Sequence, residues 1–561
     1  MNLIGNINAI PFRRFRGGGG VTPIPPFPSI SGMIARYSAL GLTNEQMAAN
    51  PVWVDKTGNG HDLQMKNFAW GGMSGVGGYE MNFNLWTNNV PSIPDISMST
   101  TTTSVSVSVG NSTYNNNLIY IHINNWDINK NHWLKVTSTY EDGDLVFKFY
   151  NDNNSKNIEL PANGYVNIPA YPEFKGNYMY ISTTSNKQGS FTIEQLPLYP
   201  GFILGDGVDD FAVTEKELNF EDTYTVYTAF IPFQNNPTRN MILCGADSKK
   251  TFSMQYSSLV YVSFVAGNNY YINAYFVNGL NLFACKRNGN NICIKNLLTN
   301  KVVTGTCGDW VENAGLYYLW KNATYVSFAK AAIAGQTICN GYFSTDEDDE
   351  KVLNWYKKQY PWLFPDQAWT VVGKTNEDED RATIANITGN GNNLVLSNLG
   401  FIEGSGYNKE GEYAGYLVTD GVDDKITSSI FEMGNDWTVI GDWELINTGK
   451  KDNAGIVKFD SIVIYNYNSI LINIKNGRNN LIPDQNTVNA ICSDGRIYSK
   501  DWKESIYNEE TESTSKNFLN IGYSGNVYTK IAFKNLAIYP TVLSREDCIK
   551  AYNYLQTLKA K

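Results

Sequence analysis

Charged side chains make up only 17 % of the 561 residues, histidine occurs three times, and no apolar run is long enough to span a bilayer. The last absence argues against an integral membrane helix and against membrane insertion. His61, His122 and His132 sit in no H-x-E or HExxH pattern, which argues against histidine-ligated metal chemistry. Seven cysteines without a CxxC pair argue against a zinc ribbon or a disulfide framework, and describe thiols kept reduced in a cytoplasm. No G-x-S-x-G elbow and no phosphate loop occurs, and the glycine-rich stretch Gly71 to Gly78 reads as a loop. With 44 basic against 54 acidic side chains the net charge is −10, which disfavours a nucleic-acid partner. No secretory leader is recognisable, because the basic residues near the N-terminus follow the apolar ones.

What the chain has is aromatics (13 %, with 36 tyrosines), 48 glycines and a repeat. The composition suits half-buried strands and tight turns. Thr57-Gly58-Asn59-Gly60 and Thr388-Gly389-Asn390-Gly391 are each followed by the same pentapeptide, Asp206-Gly207-Val208-Asp209-Asp210 and Asp420-Gly421-Val422-Asp423-Asp424. Tyr224-Thr225-Val226-Tyr227 is answered by Trp437-Thr438-Val439-Ile440, a β-rich run. Both copies close with a hydroxyl cap, acids in the next turn and apolar residues three or four apart, from Ser344 and from Ser544, which predicts a terminal helix on a sheet.

The spacing divides the chain. Thr57 to Asp206 is 149 residues and Thr388 to Asp420 is 32, so the first copy carries 117 more, enough for a domain. Val105, Val107 and Val109 alternate with serine, and Leu145, Phe147 and Phe149 repeat the period of two, so the insertion is itself antiparallel β. The expected layout is an N-terminal arm (1–30), a first module (31–86 and 200–365), an inserted β-sandwich (87–199) and a second module (366–561). In the arm, the basic-aromatic cluster Arg13, Arg14, Phe15 and Arg16 precedes four glycines and a proline-rich spacer, the composition of a docking peptide on a flexible joint.

The pentapeptides, with the upstream Asp55 to Gly60 and Asn386 to Gly391, resemble the strand-turn signatures of concanavalin A-like jelly-roll domains of the laminin-G and lectin/glucanase type. The resemblance covers both modules but neither the insertion nor the arm. It implies an all-β fold of two jelly-roll sandwiches, the first interrupted by a β-sandwich domain. It also implies a calcium ion at the rim, for which Asp206, Asp209 and Asp210, or Asp420, Asp423 and Asp424, would supply oxygens. An Asp-Gly step is equally a turn signal in which the carboxylate caps backbone amides, so both readings stand. Glucanases of this class carry paired acids as E-x-D-x-x-E; the pattern is missing, and no enzyme activity is expected. The acidic runs Asp346 to Glu350, Glu377 to Asp380 and Glu509 to Glu512 read as solvated loops and a helix start. Sugar stacking would fall to Trp126, Trp133, Tyr270 and Tyr271, although aromatics dominate β-sandwich interiors and most such residues are core or rim.

The arm and the stretches Met47 to Trp53 and Phe68 to Gly72 resemble virion proteins of tailed phages of gut Bacteroidales, including the crAss-like group. This implies a head-fibre, tail-fibre or capsid-decorating protein. It would be made in the host cytoplasm, joined to capsid or tail proteins through its arm, assembled as a homotrimer and turned toward host-surface carbohydrate. The alternatives are a cell-associated bacterial glycan-binding protein and a glycosidase relative.

Overall fold

The computed structural model describes residues 26–560 apart from 80–82, 84–85, 89–95, 111–120, 123–125, 127–131, 152–153, 169–177, 184–187, 234–240, 247–252, 257–260, 266–270, 276–278, 310–313, 322–327, 390, 447–453, 460–461, 467–469, 475–477, 483–487, 500–501, 503, 507–518, 522 and 525–526. Within that span the chain is an all-β, jelly-roll protein.

Two sandwiches are built on one plan. In the first module, one sheet runs in the order 301–306, 291–296, 281–288, 223–232, 330–340, 203–206, 75–76, with Met33–Ser38 also pairing with 330–340. In the second module the corresponding sheet runs 504–506, 496–499, 488–492, 438–445, 531–539, 417–418, 406–407, with Gln367–Thr370 on 531–539. The facing sheets match strand for strand as well, from Val52–Trp53 to Tyr271–Tyr275 in one and from Thr383–Ile384 to Arg478–Ile482 in the other. The central strands Thr223–Pro232 and Lys330–Asn340 are buried along almost their whole length, as a strand covered on both faces must be. Between Tyr79 and Leu196 the chain leaves the first module and forms two five-stranded sheets, 154–160 to 87–88 and 163–168 to 96–100. In Ser104–Val109 the valines point inward and the serines outward, the alternation that their spacing predicts.

Helix α1 (Asn44–Ala49) is a short capped turn. Helix α2 (Asp346–Gln359) closes the first module; Thr345 caps it, with Asp348 reaching back to the Thr345 N–H. Helix α3 (Arg545–Thr557) closes the second, capped by Ser544. The acids from Asp346 to Glu350 form the expected helix start, and Asp346, Glu347 and Glu350 are exposed, but Asp348 and Asp349 depart from a solvated run. Asp349 is buried and bonded to Lys286 Nζ at 2.7 Å and Lys295 Nζ at 3.0 Å, because its place on the helix faces the sheet beneath. The expected arm boundary also moves: Phe27 packs edge-on against Trp355 at 5.0 Å and Ile30 is buried, since an aromatic and an aliphatic side chain beside α2 find apolar surface to cover.

The three domains share one apolar seam. The single-turn helix Pro361–Leu363 links the two modules and places Trp362 against Tyr554 of α3 at 5.8 Å. Trp133, from the inserted domain, meets Trp502 at 6.0 Å and Tyr552 at 5.5 Å, and those two meet each other at 5.7 Å. The Tyr554 hydroxyl accepts the N–H of Leu280 at 2.7 Å, tying α3 of the second module to the first. Aromatic rings in edge-to-face contact contribute beyond the area they bury. Trp133→Ala is therefore expected to cost about 3–5 kcal/mol and to make the inserted domain unfold separately from the C-terminal module in calorimetry. A cost below about 0.5 kcal/mol, within the range of an ordinary surface change, would show that the seam does not couple them.

Candidate functional site

The pentapeptides form matching turns at the sandwich rim. Gly207 and Gly421 adopt φ of 81° and 76°, and a Cβ at either would fall within 2.9 Å of the facing Lys330 or Lys530. Only glycine fits both constraints. Asp206 Oδ1 accepts the Val208 N–H at 2.7 Å, as Asp420 Oδ1 accepts that of Val422 at 2.7 Å. Asp210 Oδ2 accepts the Asp206 N–H at 2.9 Å, and Asp424 Oδ2 accepts the Asp420 N–H at 2.7 Å and the Ser405 hydroxyl at 2.9 Å. Asn67 and Asn398, both with positive φ, donate to the carbonyls of Asp209 and Asp423. The last aspartate of each turn is buried, the middle one is exposed, and Val208 and Val422 project outward at 70 % exposure.

Each turn thus uses its carboxylates as caps, yet one oxygen is left over. Asp210 Oδ1 and Asp424 Oδ1 are buried without a hydrogen-bond partner, an expensive state for an ionised carboxylate. In each turn one oxygen from each of the three aspartates lies within 4.8 Å of the others. Burial pushes the Asp210 carboxyl up to about 7; the Asp206 N–H and the Ser74 hydroxyl pull it down, while the charges of Asp206 and Asp209 add to the rise. Asp424 is raised by the same forces in the same order. A hard cation with several oxygen ligands fits this donor set: Asp206, Asp209 and Asp210, or Asp420, Asp423 and Asp424, would hold it, and it would compensate the orphaned oxygen.

The upstream segments have a different use. Asp55 Oδ1 accepts the Thr57 N–H at 2.9 Å and hydroxyl at 2.8 Å, and Asn386 Oδ1 accepts the same pair from Thr388 at 3.0 and 2.8 Å. The Asp-to-Asn difference between the copies keeps these two bonds and changes the use of the other atom: Asp55 Oδ2 accepts the His61 N–H, whereas Asn386 Nδ2 donates to Gln367 Oε1. These residues brace the loop and lie outside the acidic groups.

The sugar-stacking candidates fare differently. Trp126 is buried against His132 at 4.2 Å and Phe147 at 4.8 Å, and Trp133 is buried in the interdomain seam. Neither ring offers a face to a sugar, because both are buried against other aromatic side chains. Tyr270 lies outside the described residues, as do Arg13, Arg14, Phe15 and Arg16; of Tyr271 only its place on the strand Tyr271–Tyr275 is described. The half-buried pair Phe211 and Phe328, 6.4 Å apart, was not anticipated. Phe211 begins the strand that leaves the first rim turn, and Lys321 Nζ lies 4.3 Å from its ring centre. Its only signal in the sequence is adjacency to Asp210.

No protein-family model and no curated protein sequence matches the chain. Solved structures are similar at low identity. The receptor-binding domain of botulinum neurotoxin mosaic serotype C/D is 9 % identical, with 62 % of this chain and 90 % of that one covered and a TM-score of 0.27. The serotype D binding domain is 10 % identical, covering 62 % and 89 %, with a TM-score of 0.27. The exoplasmic/lumenal domain of VIP36 in its Ca2+-bound form is 6 % identical, covering 27 % and 84 %, with a TM-score of 0.20. The likeness is one of all-β fold.

The raised Asp210 carboxyl fixes a sign. Its folded value of about 7 exceeds the ordinary carboxylate value of about 4. Its contribution to stability is complete in acid and is lost as pH rises through 7. Asp210→Asn should therefore gain in Tm relative to the unaltered chain by several degrees between pH 4 and 8. Calcium at pH 8 should raise the Tm of the unaltered chain and leave Asp210→Asn/Asp424→Asn unmoved. Equal calcium shifts in both proteins would exclude the rim turns as cation sites.

Proposed function

We propose that the chain is a non-enzymatic virion surface protein of a tailed phage, attached to capsid or tail through its N-terminal arm and holding host-surface carbohydrate at its jelly-roll rims. The observation that carries this reading is the duplicated rim turn on modules fixed to one another. Each turn presents an outward valine beside three carboxylates, one with an unpartnered buried oxygen. A calcium ion held there would keep coordination positions open to vicinal sugar hydroxyls, since it takes six to eight oxygens and the three aspartates fill only part of that shell. Two such positions locked by a common seam bind a multivalent surface without the entropy cost of ordering a linker. In the first module Phe211 and Phe328 would serve as the apolar face for a sugar ring.

Support for the virion setting comes from the arm, whose basic-aromatic cluster, glycines and prolines suit a docking peptide on a joint, and from the resemblance of the arm and of Met47 to Trp53. A homotrimer would multiply the rim sites further. The test is immunogold electron microscopy of phage particles with antibodies raised against residues 366–561. Gold at regular capsid or tail positions is the expected outcome, and it should vanish when residues 1–25 are deleted. Bare particles beside labelled bacterial cells would replace the virion reading with a cell-associated glycan-binding protein.

A further inference from the structure

The two modules differ at one buried place under their closing helices. In the first, Thr225 Oγ1 donates to the Tyr342 carbonyl at 3.0 Å and accepts the Ser344 N–H at 3.0 Å. In the second, Thr438 Oγ1 donates to the Thr541 carbonyl at 2.9 Å and accepts the Leu543 N–H at 2.9 Å. These two threonines are equivalent, and so are their surroundings. Across the sheet Thr225 pairs with Lys286 and Thr438 pairs with Cys492. Five residues beyond Ser344 and Leu543, in the first turn of each helix, stand Asp349 and Cys548, whose amides reach back to Thr345 and Ser544. The Lys286–Asp349 ion pair of the first module, closed at 2.7 Å, is thus replaced in the second by two thiols.

Both thiols stand at that place. Cys492 and Cys548 are fully buried in one packed cluster, and the Thr438 hydroxyl and Leu543, which are bonded to each other, each hold one of them. Cys492 Sγ is 3.7 Å from Thr438 Oγ1 and Cys548 Sγ is 4.0 Å from the Leu543 carbonyl. The neighbouring Cys548 thiol holds Cys492 below the ordinary thiol range, with Thr438 and the charge of Arg496 acting in the same direction, while burial holds Cys548 above that range until α3 opens. The remaining cysteines with described burial, at 285, 293, 307 and 339, belong to the first module.

We propose that Cys492 and Cys548 are a disulfide-forming pair that fastens α3 to the strand 488–492 when the chain passes from reducing to oxidising surroundings. The oxidant is a small-molecule disulfide. The Cys492 thiolate attacks one of its sulfurs and expels one small thiolate; the Cys548 thiolate then attacks the sulfur of Cys492 in the mixed disulfide and expels the second. The two cysteine protons end on the two released thiols, so one disulfide is reduced for the one formed. Because both sulfurs are buried, exchange proceeds through opening of α3. The consequence reaches beyond the second module, since α3 carries Tyr552 and Tyr554, which hold the interdomain seam. A covalent bond at its first turn removes that opening from the reduced chain's repertoire.

The test uses the full chain incubated with oxidised glutathione, without and with mild urea, followed by mass spectrometry of the unreduced digest. The expected product joins the peptides holding Cys492 and Cys548 and is two hydrogens lighter than their sum. It should raise Tm by several degrees, an increase that dithiothreitol reverses. Free thiols or glutathione adducts at both positions under both conditions would overturn the proposal. So would an equal, dithiothreitol-reversible Tm increase in Cys492→Ala/Cys548→Val. Peptide mapping on the unaltered chain decides the matter even where a variant fails to fold.

Discussion

The aromatic seam around Trp133, Trp362, Trp502, Tyr552 and Tyr554 is the constraint on which the rest of the molecule depends. Each sandwich could bury its own core, and the residues from Trp369 to Ile538 form one such core by themselves. What no sandwich can do alone is cover the outer face of its sheet. In the first module α2 covers that face and in the second α3 does, and the single-turn helix at Pro361 lets the two covers meet. An inserted domain that contributed no side chain to this junction would be held at its two ends only. Trp133 makes it part of the same packed body.

The rim turns stand on the two modules that this seam joins. In both turns the first and last aspartates each spend an oxygen on the turn's own backbone, so the turn geometry exists without any ligand. The leftover buried oxygen is the costly element, and the same cost recurs in both copies; a proton relieves it in acid, and a bound cation would relieve it at neutral pH. Duplication also exposes what each part is for. The upstream loop holds its threonine with an oxygen of Asp55 or of Asn386 alike, whereas all three acids of the pentapeptide stay acidic in both copies.

Under the closing helices the same comparison runs the other way. The place that holds a lysine and an aspartate in one module holds two cysteines in the other, and both solutions satisfy a buried helix start against a strand. An ion pair there is insensitive to the redox state of the surroundings; a thiol pair is not. The two modules therefore share a fold while differing in what can change their stability.

The repeated motifs, the length difference between copies and the period-two alternation made the modular β architecture and both closing helices legible in the sequence, because turn chemistry, caps and alternation are local. Aromatics of a β-sandwich are expected mostly in core or rim, and Trp126 obeys; that Trp133 joins an interdomain seam and that Asp349 is a buried partner of Lys286 were not legible, because composition does not say which face of a strand or helix another domain will cover. Phe211 and Phe328 are far apart in the chain and meet only through sheet pairing. Cys492 and Cys548 carry no mutual spacing that marks a pair; they become one because register places Cys492 across from Thr438 and the helix cap places Cys548 above it. By itself the sequence determined the repeat, the strands, the turns and their acids. Only the tertiary structure decided which of those groups are buried, paired or left facing water, since burial and pairing depend on the packing of segments far apart in the chain.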